Sequence, residues 1–106
     1  MVHLIITVQV RPGAVADYVA AFTAIAADVR LEYGCLDYNI YRDSTDARFD
    51  NVVRPDTVVI CEKWESIEAL QAHTRDSKVL NQFRQAVRDL KVGSTYVLLT
   101  PATMTE

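Results

Sequence analysis

The sequence predicts an α+β protein of ferredoxin-like type, with helices on one face of a four-stranded antiparallel sheet. Two observations lead to this prediction. Apolar residues alternate with polar ones over residues 4–11 and 36–41, as in strands, residues 57–61 are rich in Val and Ile, and apolar residues recur at helical spacings of three and four in the longer stretches between strands. These stretches follow in the order strand-helix-strand-strand-helix-strand, which is the ferredoxin-like order.

The first half of the chain provides a strand, a helix and a second strand. Residues 4–11 alternate between an apolar and a mixed face, and Pro12-Gly13 then turns the chain. An amphipathic helix is predicted over residues 14–33. Gly34 is its expected stop, because glycine tolerates the left-handed conformation that ends many helices. Residues 36–41 alternate again and predict the second strand.

The second half begins with a polar connection over residues 42–55 and a Val- and Ile-rich strand over residues 58–64. A short helix is predicted over residues 66–74. A second helical piece, capped by Asp76 or Ser77, is predicted to reach residue 90. Gly93-Ser94 is expected to end it before a last strand over residues 95–99. Together these elements predict one domain over residues 1–106.

Composition is that of an ordinary globular protein. The chain has 106 residues, of which half are hydrophobic and 24% charged, and its net charge is −3. Lysines and arginines are scattered, which disfavours nucleic acid as a partner. We find no apolar run long enough to cross a membrane and no signal-peptide layout at the N-terminus, so a cytoplasmic protein is expected. Cys35 and Cys61 lack metal or redox spacing and are expected to be small buried thiols.

The most informative segment covers residues 62–73, where a strand is followed at once by a capped helix. Ser66 can accept a backbone N–H of the first turn, and Glu68 suits the positive end of the helix dipole. Trp64 at the strand end and His73 in the helix could therefore face the same space. An indole and an imidazole over one pocket would suit substrate binding, and packing alone is the alternative.

This segment resembles the antibiotic biosynthesis monooxygenase family and is closest to its bacterial quinol monooxygenases. Residues 11–13 look like the turn after the first strand of that family. Residues 32–38 look like its Glu-x-Gly-Cys-x-x-Tyr entry to the second strand. Residues 48–49 followed by 55–57 resemble the longer connection of the quinol-oxidising branch. The order and spacing of these pieces, over nearly the whole chain, carry the resemblance.

The resemblance implies a homodimer in which two sheets pack face to face as a dimeric α/β barrel. The sequence supports this in part, because Ile5, Val59, Cys61 and either Val97 or Leu98 would otherwise expose apolar area on the open sheet face. It also implies a monooxygenase that uses molecular oxygen on a quinol-like or polycyclic phenolic substrate, without a cofactor. Deprotonating such a substrate makes it a better electron donor, so a base and an apolar pocket are required.

Two residues are the catalytic candidates that the resemblance favours. His73 would act as the base or hydrogen-bonding group, since its ordinary pKa lies near neutrality. The alternative is a histidine that caps the short helix or bonds a backbone carbonyl. Trp64 would form a pocket wall that stacks on an aromatic substrate, with plain core packing as its alternative.

Five further residues are candidates for substrate binding. The Tyr38 hydroxyl could orient a quinol oxygen or bond a neighbouring backbone group. Glu62 could accept a substrate hydrogen bond or pair with Arg84 or Arg88, since a carboxylate on an apolar face is unfavourable unless paired. The remaining three are Phe22 and Phe83, as pocket wall or core, and Lys78, as a group for an acidic or phenolate substrate. No metal or cofactor motif is found.

One departure from the family pattern weakens the transfer of quinol activity. Many quinol-oxidising relatives show a second histidine where this chain has Ser77-Lys78. A non-oxidative isomerase and a non-catalytic ligand-binding module therefore stay open as alternatives, because one fold can host all three functions.

Overall fold

The predicted sheet and helices are present in a computed structural model, which describes residues 1–103. Four strands form one antiparallel sheet in the order β2-β3-β1-β4, which confirms the ferredoxin-like α+β prediction. In chain order the elements are β1 (Val2–Val10), α1 (Val15–Arg30), β2 (Cys35–Tyr41), β3 (Thr57–Trp64), α2 (Ile67–Asp76), α3 (Lys78–Val87) and β4 (Lys91–Leu99).

The core lies between the helices and one face of this sheet. Val8 and Val58 pair across β1 and β3, and both are almost completely buried beneath α1 and α3. The same register places Leu4 opposite Glu62, so a carboxylate joins an otherwise apolar layer. Phe83 of α3 packs edge-on against Tyr18 of α1, with ring centroids 5.4 Å apart.

The predicted boundary between the second helical region and the last strand is wrong. The sequence predicted a helix that reaches residue 90, a stop at Gly93-Ser94 and a strand from residue 95, whereas α3 ends at Val87 and β4 already begins at Lys91. Gly93 pairs with Gln9 of β1, next to an irregularity in the register. A glycine in a strand often marks such a bulge, so the turn signal at Gly93 reflects a strand irregularity.

Gly34 follows α1 and lies against α2, at a position where only glycine fits. Its φ is +79°, and an added Cβ would overlap the Cβ of Ala69. We expect Gly34→Ala to lower the free energy of unfolding by roughly 2–4 kcal/mol, the sum of left-handed backbone strain and overpacking. Gly13→Ala is the matched control, because its φ is +80° and a Cβ there meets nothing within 4 Å.

Urea unfolding of both variants measures the two contributions separately. Gly13→Ala should lower the free energy of unfolding only by the left-handed backbone strain, about 1–2 kcal/mol. Equal losses for the two variants would contradict the close approach of Gly34 to α2.

The sheet face opposite the helices carries apolar side chains that the rest of the chain leaves uncovered. Val97 and Leu99 of β4 are 52% and 46% exposed, beside the half-buried Ile5, Val59 and Cys61. Leu98 lies on the other face, opposite Leu4, so Val97 and not Leu98 belongs to this open face. No helix within residues 1–103 is long and apolar enough to span a bilayer.

Candidate active site

A cavity of about 290 Å³ lies between α3 and the helix-facing side of the sheet. Its wall is largely apolar and includes Leu4, Ile6 and Phe83. Glu62 and His73 form a polar group at its buried end. The volume is close to the lower limit of ordinary ligand pockets, which suits a compact ligand of one or a few rings.

Glu62 is held in the cavity wall by the alternation of β3, and only 5% of it is exposed. The indole Nε1 of Trp64 donates a hydrogen bond of 3.0 Å to Glu62 Oε1. His73 Nε2 lies 3.9 Å from the same oxygen. Burial raises the pKa of the Glu62 carboxyl, while the hydrogen bond from Trp64 and the nearby His73 act in the opposite direction. The Glu62 side chain therefore has Trp64 as its hydrogen-bond donor, and within residues 1–103 it forms no close ion pair with Arg84 or Arg88.

His73 lies between two carboxylates on opposite sides of its ring. Its Nδ1 is 2.7 Å from Glu32 Oε1, and the Ser77 hydroxyl donates a 2.6 Å hydrogen bond to Glu32 Oε2. Only 3% of His73 is exposed, whereas 24% of the Glu32 side chain is. The imidazole thus connects the buried end of the cavity with a carboxylate at the outer surface. No bond from the His73 ring to a backbone carbonyl is present within residues 1–103.

Two helix caps fix this arrangement locally. Ser66 begins α2 by accepting a hydrogen bond of 3.1 Å from the N–H of Ala69, as the sequence predicts. Ser77 separates α2 from α3 and accepts from the N–H of Leu80 while it donates to Glu32. One hydroxyl therefore caps α3 and orients the carboxylate that holds His73.

The contact with Glu32 determines which nitrogen of His73 can act on a ligand. An ionised carboxylate only accepts hydrogen bonds, so Nδ1 carries the hydrogen that Glu32 receives. Nε2 faces Glu62 at the cavity end, 3.9 Å from its Oε1. A carboxylate that orients an imidazole in this way also stabilises the imidazolium after proton transfer.

Two tyrosine hydroxyls provide hydrogen-bond donors to the same cavity. The Tyr38 ring stacks on Phe22, with centroids 4.7 Å apart and planes within 12°. Neither the Tyr38 nor the Tyr18 hydroxyl forms a hydrogen bond to another part of the described chain, so both are available to a ligand. Burial raises the pKa of both phenols, that of Tyr18 to about 12, so both stay protonated at neutral pH.

The structure brings four of the seven sequence candidates into the cavity wall. These four are Tyr38, Glu62, His73 and Phe83. Trp64 and Phe22 lie behind the wall: Trp64 is fully buried, with its ring centroid 4.6 Å from that of His73, and Phe22 supports Tyr38. Trp64 therefore does not stand where a stacking wall was expected.

The fifth proposed substrate-binding residue, Lys78, is exposed at the start of α3. It lines a shallow groove on the outer side of Glu32, away from the main cavity. Its proposed contact with an acidic or phenolate substrate in the cavity has no support from this placement.

Sequence reasoning missed Glu32 and Ser77 as members of the site. Glu32 is 41 residues from His73 along the chain, so no local spacing could connect the two. Ser77 gave a capping signal, but its second hydrogen bond depends on the docking of α2 near the end of α1. The spacing of Arg84 and Arg88 by four residues could have indicated a shared helix face, and both line the cavity.

An apolar cavity that ends in a histidine between two carboxylates defines a small-molecule-binding protein of ferredoxin-like fold. The family model for antibiotic biosynthesis monooxygenases matches residues 1–89. The chain therefore belongs to the antibiotic biosynthesis monooxygenase family. No curated protein gives a significant match to this chain.

Solved structures of similar proteins share the fold over nearly their whole length. PA3566 from Pseudomonas aeruginosa is 22% identical with a TM-score of 0.78, and the alignment covers 96% of this chain and 94% of that protein. Rv0793 from Mycobacterium tuberculosis is 25% identical with a TM-score of 0.76, over 99% and 98% of the two chains. A structure described as an antibiotic biosynthesis monooxygenase is 19% identical with a TM-score of 0.75, over 96% and 99%.

Proposed function

We propose that this protein is a monooxygenase that oxidises a quinol-like or polycyclic phenolic substrate with molecular oxygen and without a resident cofactor. The observation that supports the proposal best is the placement of His73. Its Nδ1 is held by Glu32 at 2.7 Å, which leaves Nε2 at the buried end of an apolar cavity. That is the geometry a general base for a phenol or enol requires.

In the proposed reaction the substrate hydroxyl gives its proton to His73 Nε2. The imidazolium that forms is stabilised by Glu32 on one side and by Glu62 on the other. The substrate anion then reduces oxygen directly. One oxygen atom enters the product and the other leaves as water, so the substrate supplies all the electrons.

The remaining wall fits a flat, electron-rich ring. Ile6, Leu80 and Phe83 offer apolar contact, and the hydroxyls of Tyr18 and Tyr38 can donate to a substrate oxygen. Donors of this kind stabilise negative charge as it develops in a site that excludes water. The apolar surroundings also limit competing proton exchange with solvent.

Oxygen consumption by metal-stripped, flavin-free protein tests the proposal. The substrates are 1,4-naphthohydroquinone and anthrone, each measured beside buffer alone to subtract autoxidation. Uptake that is faster than buffer and proportional to protein concentration supports a monooxygenase or oxidase. Rates equal to buffer for both substrates would overturn the proposal, and substrate turnover that persists without oxygen would favour an isomerase.

Assembly into a homodimer through the open sheet face is part of the proposal. A second copy would cover Val97, Leu99 and their half-buried neighbours, whose exposure is unfavourable in water. We expect light scattering at micromolar concentration to give twice the chain mass. Val97→Lys should shift the protein towards monomer, because it buries a charge in the interface. A monomeric parent protein would contradict this assembly.

The raised pKa of Glu62 predicts a pH dependence of stability. The native state binds this proton more tightly than the unfolded chain does, whose carboxyl has an ordinary pKa of 4.5. The contribution of Glu62 to stability therefore falls as pH rises through 4.5 towards the folded value. Glu62→Gln can still accept from Trp64 but lacks this titration. Urea unfolding at several pH values gives the free energy of unfolding of the parent and of Glu62→Gln. We expect the difference, parent minus variant, to decrease as pH rises, and an increase would contradict a raised pKa of Glu62.

A further inference from the structure

Three exposed cationic side chains line the same cavity as Glu62 and His73. Arg84 lies on α3, Arg88 follows the last residue of α3, and Lys91 begins β4. We call these three residues the cationic cluster. None of them forms an ion pair with a carboxylate in the part of the chain that the structure describes. In a chain of net charge −3, such a concentration of unpaired positive charge at one cavity is notable.

Arg84 is held in position by the end of α2. Its Nη1 donates to the carbonyl of Thr74 and to Asn81 Oδ1, both at 3.2 Å. A guanidinium has five N–H donors, so Nε and Nη2 keep donors for a further acceptor. The positive charge of Arg84 also lowers the pKa of Glu62, against the larger effect of burial. The charge is therefore felt inside the cavity, although the side chain is exposed.

The cavity thus combines a buried hydrogen-bonding group, an apolar wall and exposed positive charge. Glu62 and His73 can receive a hydroxyl, and the cationic side chains offer donors and positive charge that suit a carboxylate. A neutral phenol would use only the first of these groups. Lys91 lies beyond residues 1–89, so the family match itself does not extend to that part of the cluster.

We propose that the substrate is an aromatic hydroxy acid, whose ring hydroxyl reaches His73 and whose carboxylate is bound by the cationic cluster of Arg84, Arg88 and Lys91. This inference rests on the proposed function for the position of the hydroxyl. It adds the class of substrate: a phenolic or quinol ring system that carries an anionic substituent away from the reacting hydroxyl.

Calorimetric binding of three matched ligands tests the inference without turnover. The ligands are 6-hydroxy-2-naphthoate, its neutral methyl ester and 2-naphthol, measured under argon at pH 8 and low salt. We expect the carboxylate to bind about tenfold or more tightly than either neutral ligand, as for a charge-assisted hydrogen bond. Added salt should reduce this preference, because the cluster is exposed.

Substitution of the two arginines tests whether the cationic cluster causes the preference for the carboxylate ligand. Arg84→Gln and Arg88→Gln should each reduce, several-fold, the ratio of the affinity for the carboxylate to the affinity for 2-naphthol. Arg42→Gln is the matched control, since Arg42 is exposed beyond the end of β2, at the opposite edge of the sheet from β4. It should leave the preference intact.

The outcomes separate this inference from the proposed function. Equal affinities for the acid and the ester, or a preference that survives Arg84→Gln and Arg88→Gln, would overturn the inference while the proposed oxidation stands. Failure of all three ligands to bind would overturn both. The protein could also prefer the carboxylate ligand through the cluster and consume no oxygen. That result would support the anion site and overturn only the proposed oxygenase activity.

Discussion

Replacing His73 by alanine is expected to lower kcat/KM for oxygen uptake by about 10²–10⁴-fold, the usual contribution of a general base. The variant removes the imidazole that lies between Glu32 and Glu62, which is the group proposed to accept the substrate proton at the cavity end. The loss should fall mainly on kcat, because the apolar wall that binds the ring is unchanged. Initial rates with the oxygen electrode, as a function of substrate concentration, measure both constants.

Two further variants control this prediction. His3→Ala removes the other histidine of the chain, which lies half-buried on the open face of the sheet, and should leave the rate unchanged. Glu32→Gln should lower kcat less than His73→Ala, since it weakens the orientation of the imidazole without removing it. A folded His73→Ala protein with the parent rate would show that the base lies elsewhere.

Replacing Trp64 by alanine is expected to have the largest effect on stability, a loss of about 3–5 kcal/mol in the free energy of unfolding. Trp64 is fully buried, its ring contacts that of His73, and its Nε1 is the hydrogen-bond donor to Glu62. The change leaves a cavity and also a buried carboxyl without its donor. Urea unfolding monitored by circular dichroism measures the loss.

Trp64→Phe separates packing from hydrogen bonding. Phenylalanine keeps much of the ring volume but cannot donate to Glu62, so the loss of stability should be smaller than for alanine. Since the hydrogen bond from Trp64 lowers the pKa of Glu62, its removal should raise that pKa further. A Trp64→Ala protein as stable as the parent would contradict the buried position of the indole.

The fold follows from the sequence because its elements are strongly patterned. The alternation of β1, the Val and Ile content of β3 and the Ser66 cap of α2 are local features of the sequence, and all three elements were predicted from them. The predicted boundary between the second helical region and the last strand was wrong, because pairing between distant strands sets it. Gly93 belongs to β4 and pairs with Gln9 of β1. Local propensity carries no information about such a partner.

The candidate site was only partly predictable for the same reason. His73 and Glu62 were singled out from residue type and face, and both line the cavity. Glu32 was missed because its contact with His73 exists only after the end of α1 docks near α2. Trp64 was placed in the wall, whereas the strand alternation that puts it on the helix-facing side also allows full burial.

The most direct test of the central proposal is incorporation of labelled oxygen. Metal-stripped protein is incubated with anthrone under oxygen-18 gas, and the product is analysed by mass spectrometry beside the His73→Ala variant. The proposed reaction predicts one labelled oxygen atom in each product molecule, at a rate that collapses in the variant. Product without label, or labelling that is equally fast in His73→Ala, would contradict a monooxygenase that uses His73 as its base.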